Sequence, residues 1–92
     1  MSEATPNPSE PIRVEAFLVM CMQEVSSLAW AKMGLQPDPM TGKIEKDMDQ
    51  AKLAIDASET LFKLIEESLD DDDKRQVQNL MRDLKVNYAS QK

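Results

Sequence analysis

The stretch VEAFLVMCMQEVSSLAWAKM, residues 14–33, is the most apolar part of the chain and contains only three charged residues. Within it, one row of side chains alternates steps of four and three residues: Val14, Leu18, Cys21, Val25 and Leu28. That spacing follows the turn of an α-helix and is typical of a helix in a bundle. We therefore predict a helix over 14–33 that turns this row toward the core of the subunit. Gly34 is placed to end it in a left-handed conformation.

Large apolar side chains also lie away from this row, and a helix that is apolar on nearly all sides must be buried on nearly all sides. Two neighbouring helices of the same chain would cover only part of it. Leaving four or five large side chains in water forgoes about 1.5–3 kcal/mol each, which is comparable with the stability of a small domain. We therefore predict a homo-oligomer, a two-fold dimer or a larger bundle, with an interface that contains Phe17, Met20, Met22, Trp30 and Met33. In the alternative interpretation this is the central helix of a monomer with scattered exposed apolar residues.

Two more helices are predicted, over 47–69 and 71–89, which makes the fold all-α with three helices. Asp47 caps the second helix, whose core row is Met48, Ala51, Ile55, Ser58, Phe62, Ile65 and Leu69. A second apolar row widens its buried face: Ala54, Ala57, Leu61 and Leu64. Asp70 caps the third helix, whose core row is Val77, Leu80, Met81, Leu84 and Tyr88.

The helical domain is predicted to span 13–89, between a disordered, acidic and proline-rich leader over 1–12 and a frayed tail over 90–92. The leader lacks the basic and apolar regions of a secretory signal. Polar residues interrupt the apolar stretch 14–33 at Gln23, Glu24, Ser26 and Ser27. We therefore predict no membrane insertion.

A conformational turn is predicted between the first two helices, at Pro37, Asp38, Pro39, Thr41 and Gly42. The two prolines prevent a continuous helix, and Gly42 is free to take a positive φ. Because proline reduces the freedom of the unfolded chain, we expect an ordered turn here.

The composition leaves only acid–base work by paired carboxylates as a basis for catalysis, and such pairs need a cleft that shifts their pKa values, for which a small helical core has little room. The chain has one cysteine and no histidine, and therefore lacks both a Cys/His metal-ligand set and a thiol–imidazole pair. Its net charge of −6 argues against nucleic-acid binding. We predict no catalytic residue, no metal, no cofactor and a buried, inert Cys21. A single cysteine also fits a reducing compartment, so we expect a cytoplasmic protein.

The favoured function is a non-catalytic helical self-association or protein-interaction module, such as a small regulatory or scaffolding subunit. The alternative is a ligand- or ion-responsive binding domain that uses the acidic cluster 70–73 or the turn 37–42. Calcium loops place their ligands at alternate positions around a glycine, whereas these acids are consecutive, which favours a helix cap. Trp30 and Met33 fit two interpretations equally, a recognition surface or an anchor beneath the turn.

A family resemblance adds to these predictions. The segment LAWAKMGLQPDPMTGK, residues 28–43, followed by AKLAID, residues 51–56, resembles a bacterial family of small helical proteins, domain of unknown function number eighteen forty-four. The shared pattern is an apolar first helix ending in glycine and a P-D-P-x-T-G turn, then a second helix and an acid-opened third one. The chain departs from it at Lys32, where histidine is frequent, so a role tied to that imidazole does not carry over. The resemblance implies a helical bacterial protein and no activity.

Overall fold

The computed structural model describes residues 10–91 and consists of three α-helices. Helix α1 spans Val14–Lys32, α2 spans Met48–Ile65 and continues into a short 3-10 helix at Glu66–Ser68, and α3 spans Asp71–Gln91. No strand occurs among the described residues, so the predicted all-α fold is confirmed. Helix α3 includes residues 90 and 91 of the predicted tail, and Lys92 lies outside the described residues. The predicted leader lies mostly outside the described residues, and its last three, 10–12, are exposed.

The predicted caps at the starts of α2 and α3 are confirmed by their hydrogen bonds, whereas α2 ends at Ile65 and not at residue 69. The backbone N–H of Gln50 donates to Asp47 Oδ1 over 3.2 Å at the start of α2. At the start of α3 the backbone N–H of Asp73 donates to Asp70 Oδ1 over 2.8 Å. Gly34 follows α1 with φ +82°, a conformation that residues with a Cβ adopt only at a cost. An added Cβ there would also lie 3.3 Å from Cβ of Lys46.

Helices α1 and α2 form an antiparallel hairpin, and its register is marked by two buried serines. Ser26 Oγ and Ser58 Oγ lie 3.1 Å apart in the interface. Ser58 donates its single hydroxyl proton to the carbonyl oxygen of Ala54 over 2.9 Å, so Ser26 is the donor to Ser58. In this register Met22 lies level with Phe62, and both are buried.

The row of α1 that faces α2 is different from the predicted one. Its buried members are spaced three and four residues apart: Val19, Met22, Ser26, Ala29 and Met33. In the predicted row, Val14 and Leu28 are exposed, and Leu18, Cys21 and Val25 are half-buried. The prediction that this row forms the core of the subunit is therefore wrong. For α2 and α3 the predicted core rows are correct, because their middle members are buried: Ala51, Ile55, Ser58, Phe62 and Ile65 on α2, and Val77, Met81 and Leu84 on α3. The second apolar row of α2 does not widen its buried face as predicted: Ala54, Ala57 and Leu61 are half-buried, and Leu64 is 68% exposed.

Helix α3 folds back along α2 and barely touches α1. Lys85 Nζ of α3 lies 2.7 Å from Glu59 Oε2 of α2. Lys46 Nζ, just before α2, donates to Gln91 Oε1 near the end of α3 over 3.4 Å. The molecule is accordingly flat, with extents of 41 × 26 × 17 Å.

Candidate functional site

The side of α1 that points away from α2 is apolar and exposed. Its exposed large side chains are Val14, Phe17, Met20 and Leu28. With about 100° of rotation per residue, Phe17, Met20 and Leu28 lie on the opposite side of the helix from Met22 and Ser26. The exposed Glu24 lies among them, and Val14 is only about 80° around the helix from Met22. Neither α2 nor α3 covers them. Exposed apolar side chains gathered on one side of a helix are typical of an interaction surface.

The structure divides the predicted interface residues into two groups. Phe17 and Met20 are on the outward side, with 52% and 39% of their surface exposed. Met22 and Met33 are at most 1% exposed and belong to the core, so they offer no surface to a partner. Trp30 is half-buried and packs against that core. This packing favours the anchor interpretation for Trp30 and Met33, and the interface proposed below omits Met22 and Met33.

The predicted turn is ordered around the carboxylate of Asp38. Its Oδ1 accepts the backbone N–H groups of Met40 over 2.8 Å and Thr41 over 3.2 Å, and its Oδ2 accepts Lys32 Nζ over 3.3 Å. The Asp38 backbone adds two bonds: its N–H donates to the carbonyl oxygen of Lys43, and its carbonyl oxygen accepts the N–H of Gly42, both over 2.8 Å. Asp38 thus accepts backbone N–H groups at the centre of the turn, and its ion pair with Lys32 connects the turn to the end of α1.

Electrostatics in the turn stabilise the charged form of Asp38. The backbone N–H groups of Met40 and Thr41 and the nearby Lys32 ammonium lower the pKa of its carboxyl group, against a smaller opposing effect of burial. Gly42 has φ +72°, as its place in the turn requires. Pro37, Pro39 and Thr41 are exposed around this centre. All the oxygen atoms of Asp38 are engaged within the chain, so the arrangement serves to order the backbone.

The four carboxylates of the acidic cluster 70–73 lie in different surroundings and do not gather around one point. Asp70 caps α3 with one carboxylate oxygen, and Asp73 is buried. Asp71 and Asp72 are exposed, and Asp72 lies 3.6 Å from Arg75 on the surface. Among residues 10–91 no group of three or more Asp, Glu, His or Cys side chains is arranged to hold a metal ion. The predicted helix-cap role of Asp70 is confirmed.

Cys21 is free and half-buried, on the outward part of α1. The prediction of a buried cysteine is therefore wrong, because the row that contains Cys21 does not face α2. No cation is paired with the thiol in the described part of the chain. Its position makes it a natural reporter of whatever covers this side of the helix.

Helix α1 is also, within the described residues, the one helix that is long and apolar enough to cross a membrane by length and composition alone. Of that 18-residue window, 28% is buried inside the subunit. The buried part carries the Ser26–Ser58 contact with α2. A core helix of a soluble protein passes the same test.

Together these features define a small all-α protein with one apolar helix side left without a partner inside the subunit. A family model described as "Domain of unknown function (DUF1844)" matches residues 15–90. The chain belongs to this family, which confirms the resemblance drawn from the turn and helix motifs. No curated protein and no solved structure matches the chain significantly.

Proposed function

We propose that the protein is a non-catalytic helical module that self-associates through the outward side of α1, as a small regulatory or scaffolding subunit of the cytoplasm. The observation that carries the proposal is the exposed set Phe17, Met20 and Leu28 on the side of α1 opposite α2, with the exposed Val14 beside it. Burying large apolar side chains such as these contributes about 1.5–3 kcal/mol each. For a domain of this size, whose own stability is about 5–15 kcal/mol, that is a strong drive toward association.

Within residues 10–91, helices α2 and α3 leave this surface open. Helix α3 packs on α2, away from the outward side of α1. Residues 1–9, MSEATPNPS, contain a single large apolar side chain, Met1. A polar segment of this kind gains little by packing on an apolar helix. The partner must therefore supply apolar side chains of its own.

A cytoplasmic setting and a non-catalytic role are supported by the chemistry of the side chains. The single cysteine cannot form an intrachain disulfide. Catalysis by a nucleophile or a general base needs a partner group and a cleft that shifts its pKa. Cys21 has no histidine to pair with anywhere in the chain.

The experiment that tests self-association is size-exclusion chromatography with light scattering at micromolar concentrations. We expect a mass of at least twice 10.4 kDa for the parent protein. Phe17→Glu and Met20→Glu should each yield a folded subunit of 10.4 kDa, because the new carboxylate would be buried without a counterion in the interface.

The matched control is Gln23→Glu. Gln23 is exposed on α1 but lies about 120° around the helix from Phe17, and the substitution adds the same charge. It should leave the mass unchanged. A parent protein that runs as a monomer over the whole concentration range, or a control that dissociates as readily as Phe17→Glu, would refute the proposal.

A further inference from the structure

We infer that a second copy of this chain docks on an apolar layer built from both α1 and α2, on the side opposite α3. This inference rests on the proposed self-association and specifies its surface and its partner. The α1 part of the layer is the row Val14, Leu18, Cys21, Val25 and Leu28. The α2 part is the row Leu53, Ala57, Leu61 and Leu64. Each member is exposed or half-buried in the subunit.

Helix geometry places the two rows on the same side of the hairpin. On α2, the residues that meet α3 are Glu59, which pairs with Lys85, and its neighbours Phe62, Lys63 and Glu66. At about 100° per residue, the row from Leu53 to Leu64 lies roughly 160° around the helix from them. On α1, the row from Val14 to Leu28 lies roughly 100° around the helix from the residues that contact α2. Because α1 and α2 run in opposite directions, the same rotation on each helix brings both rows to the same side of the hairpin.

The nine residues of the two rows are uncharged, although 30% of the residues in the chain are charged. The exposed Glu24 borders the α1 row, about 40° around the helix from Leu28. The charged residues of α2 lie on its other sides: Asp49, Lys52, Asp56, Glu59 and Lys63. Leu53 and Leu64 are 61% and 68% exposed. Two neighbouring helices with matched uncharged rows make a flat apolar surface, whereas a single exposed row would make only a ridge.

A second copy fits this layer in area, shape and chemistry. Four members of the two rows are 40–69% exposed, Val14, Leu28, Leu53 and Leu64, and with Phe17 at their edge they supply much of the ~800 Å² that each partner buries in a standard stable dimer. Because the two rows are uncharged, two copies can meet across them without like-charge contact between row members, despite the net charge of −6. The two hairpins would then form a four-helix core with antiparallel neighbours, a common bundle arrangement.

A lipid surface is the competing occupant. Spanning a membrane would require α1 to leave α2, which would expose the buried row that contains Met22 and strip Ser26 of its acceptor. A net charge of −6 also disfavours approach to an anionic bilayer. The second copy needs neither change, because the hairpin keeps its internal contacts.

The deciding variant is Leu64→Glu on α2, compared with Gln76→Glu on α3. Leu64 and Gln76 are both exposed in the subunit, so both variants should fold with parent-like helical circular dichroism. Leu64→Glu should raise the dimer dissociation constant more than tenfold in sedimentation equilibrium, and Gln76→Glu should leave it unchanged.

Cys21 supplies a second readout in the unmodified protein. Across two facing layers the two thiols lie within reach of a bis-maleimide reagent spanning about the 8–10 Å that separates packed helix axes. We expect a crosslinked dimer on a denaturing gel for the parent and for Gln76→Glu, and its loss for Leu64→Glu.

The outcomes separate this inference from the proposed function. If Phe17→Glu dissociates the protein while Leu64→Glu does not, self-association through α1 stands and the two-helix layer is refuted. A monomeric parent refutes both. A parent that stays monomeric but co-sediments with phosphatidylcholine vesicles assigns the layer to a lipid surface and overturns the second copy as its occupant.

Discussion

Two methionines on opposite sides of α1 provide the sharpest test of the fold, Met22 and Met20. Met22 is 1% exposed and packs in the core against α2, whereas Met20 lies outward. Truncating a buried methionine to alanine removes its contacts and leaves a cavity, at a cost of about 2–5 kcal/mol. Since a domain of this size has a stability of about 5–15 kcal/mol, Met22→Ala should remove a large part of it.

The assay is urea unfolding followed by circular dichroism at two protein concentrations. With a slope of about 1–3 kcal/mol per molar urea, Met22→Ala should lower the midpoint by roughly 1–3 M at both concentrations. Met20→Ala is the matched control, identical in chemistry. It should act only by weakening association, so its smaller effect should fade on dilution. Equal, dilution-independent losses for the two variants would show that α1 does not face α2 with the Met22 row.

Three further predictions concern the turns and the serine pair. Gly34→Ala and Gly42→Ala should each lower the free energy of unfolding by about 1–2 kcal/mol, because alanine adopts the left-handed backbone conformation only at a cost. The loss should be larger at Gly34, where the new Cβ would crowd Lys46. Thermal melts measure both losses, and equal losses would contradict a steric effect of Lys46. Ser58→Ala should cost about 1–3 kcal/mol and more than Ser26→Ala, because it strips the buried Ser26 hydroxyl of its acceptor while the reverse change leaves Ser58 its carbonyl partner; urea midpoints that rank the other way would refute this order. The pKa of Asp38 is lowered in the folded protein, so its carboxylate contributes stability above the unfolded pKa of about 3.9, and this stability is lost as the pH falls through the folded pKa. The difference in urea midpoint between the parent and Asp38→Asn should therefore shrink from neutral to acidic pH. A difference that grows would contradict the role of the charged Asp38 in the turn.

The core rows of α2 and α3 were predictable from the sequence. The predicted core row of α2 has buried members at every expected position from Ala51 to Ile65. The capping roles of Asp47 and Asp70 were also predictable, because an aspartate directly before an amphipathic segment commonly caps the helix. These features depend on residues close in sequence.

Helix α1 was harder because it has two apolar rows, and periodicity alone does not say which one faces the neighbour. The chosen row has the larger side chains. The actual inner row has small residues at its centre, Ser26 and Ala29, which lie across from Ser58 and near Ala51 on α2 in the observed register. Small side chains let two helices pack closely at their crossing, and that match between two distant segments was the available signal.

The turn illustrates the same limit at a shorter range. Its prolines and Gly42 predicted an ordered segment, but they did not identify Asp38 as its centre. That role depends on three donors brought together in space, the N–H groups of Met40 and Thr41 and the ammonium of Lys32. The local pattern that indicates such a turn is an aspartate between two prolines, here Asp38, which can accept the backbone N–H groups two and three residues later.

The connection between α2 and α3 explains why the subunit leaves an apolar side open. After Ile65 only the short 3-10 helix, Leu69 and Asp70 intervene before α3 begins, and so short a link keeps α3 beside α2. Helix α3 has one buried apolar row, centred on Met81, and that row is used against the hairpin. Helix α1 has two such rows and only one close neighbour in the subunit. We therefore propose a second hairpin, which carries the same two rows, as the neighbour that the outer row of α1 lacks within the described residues.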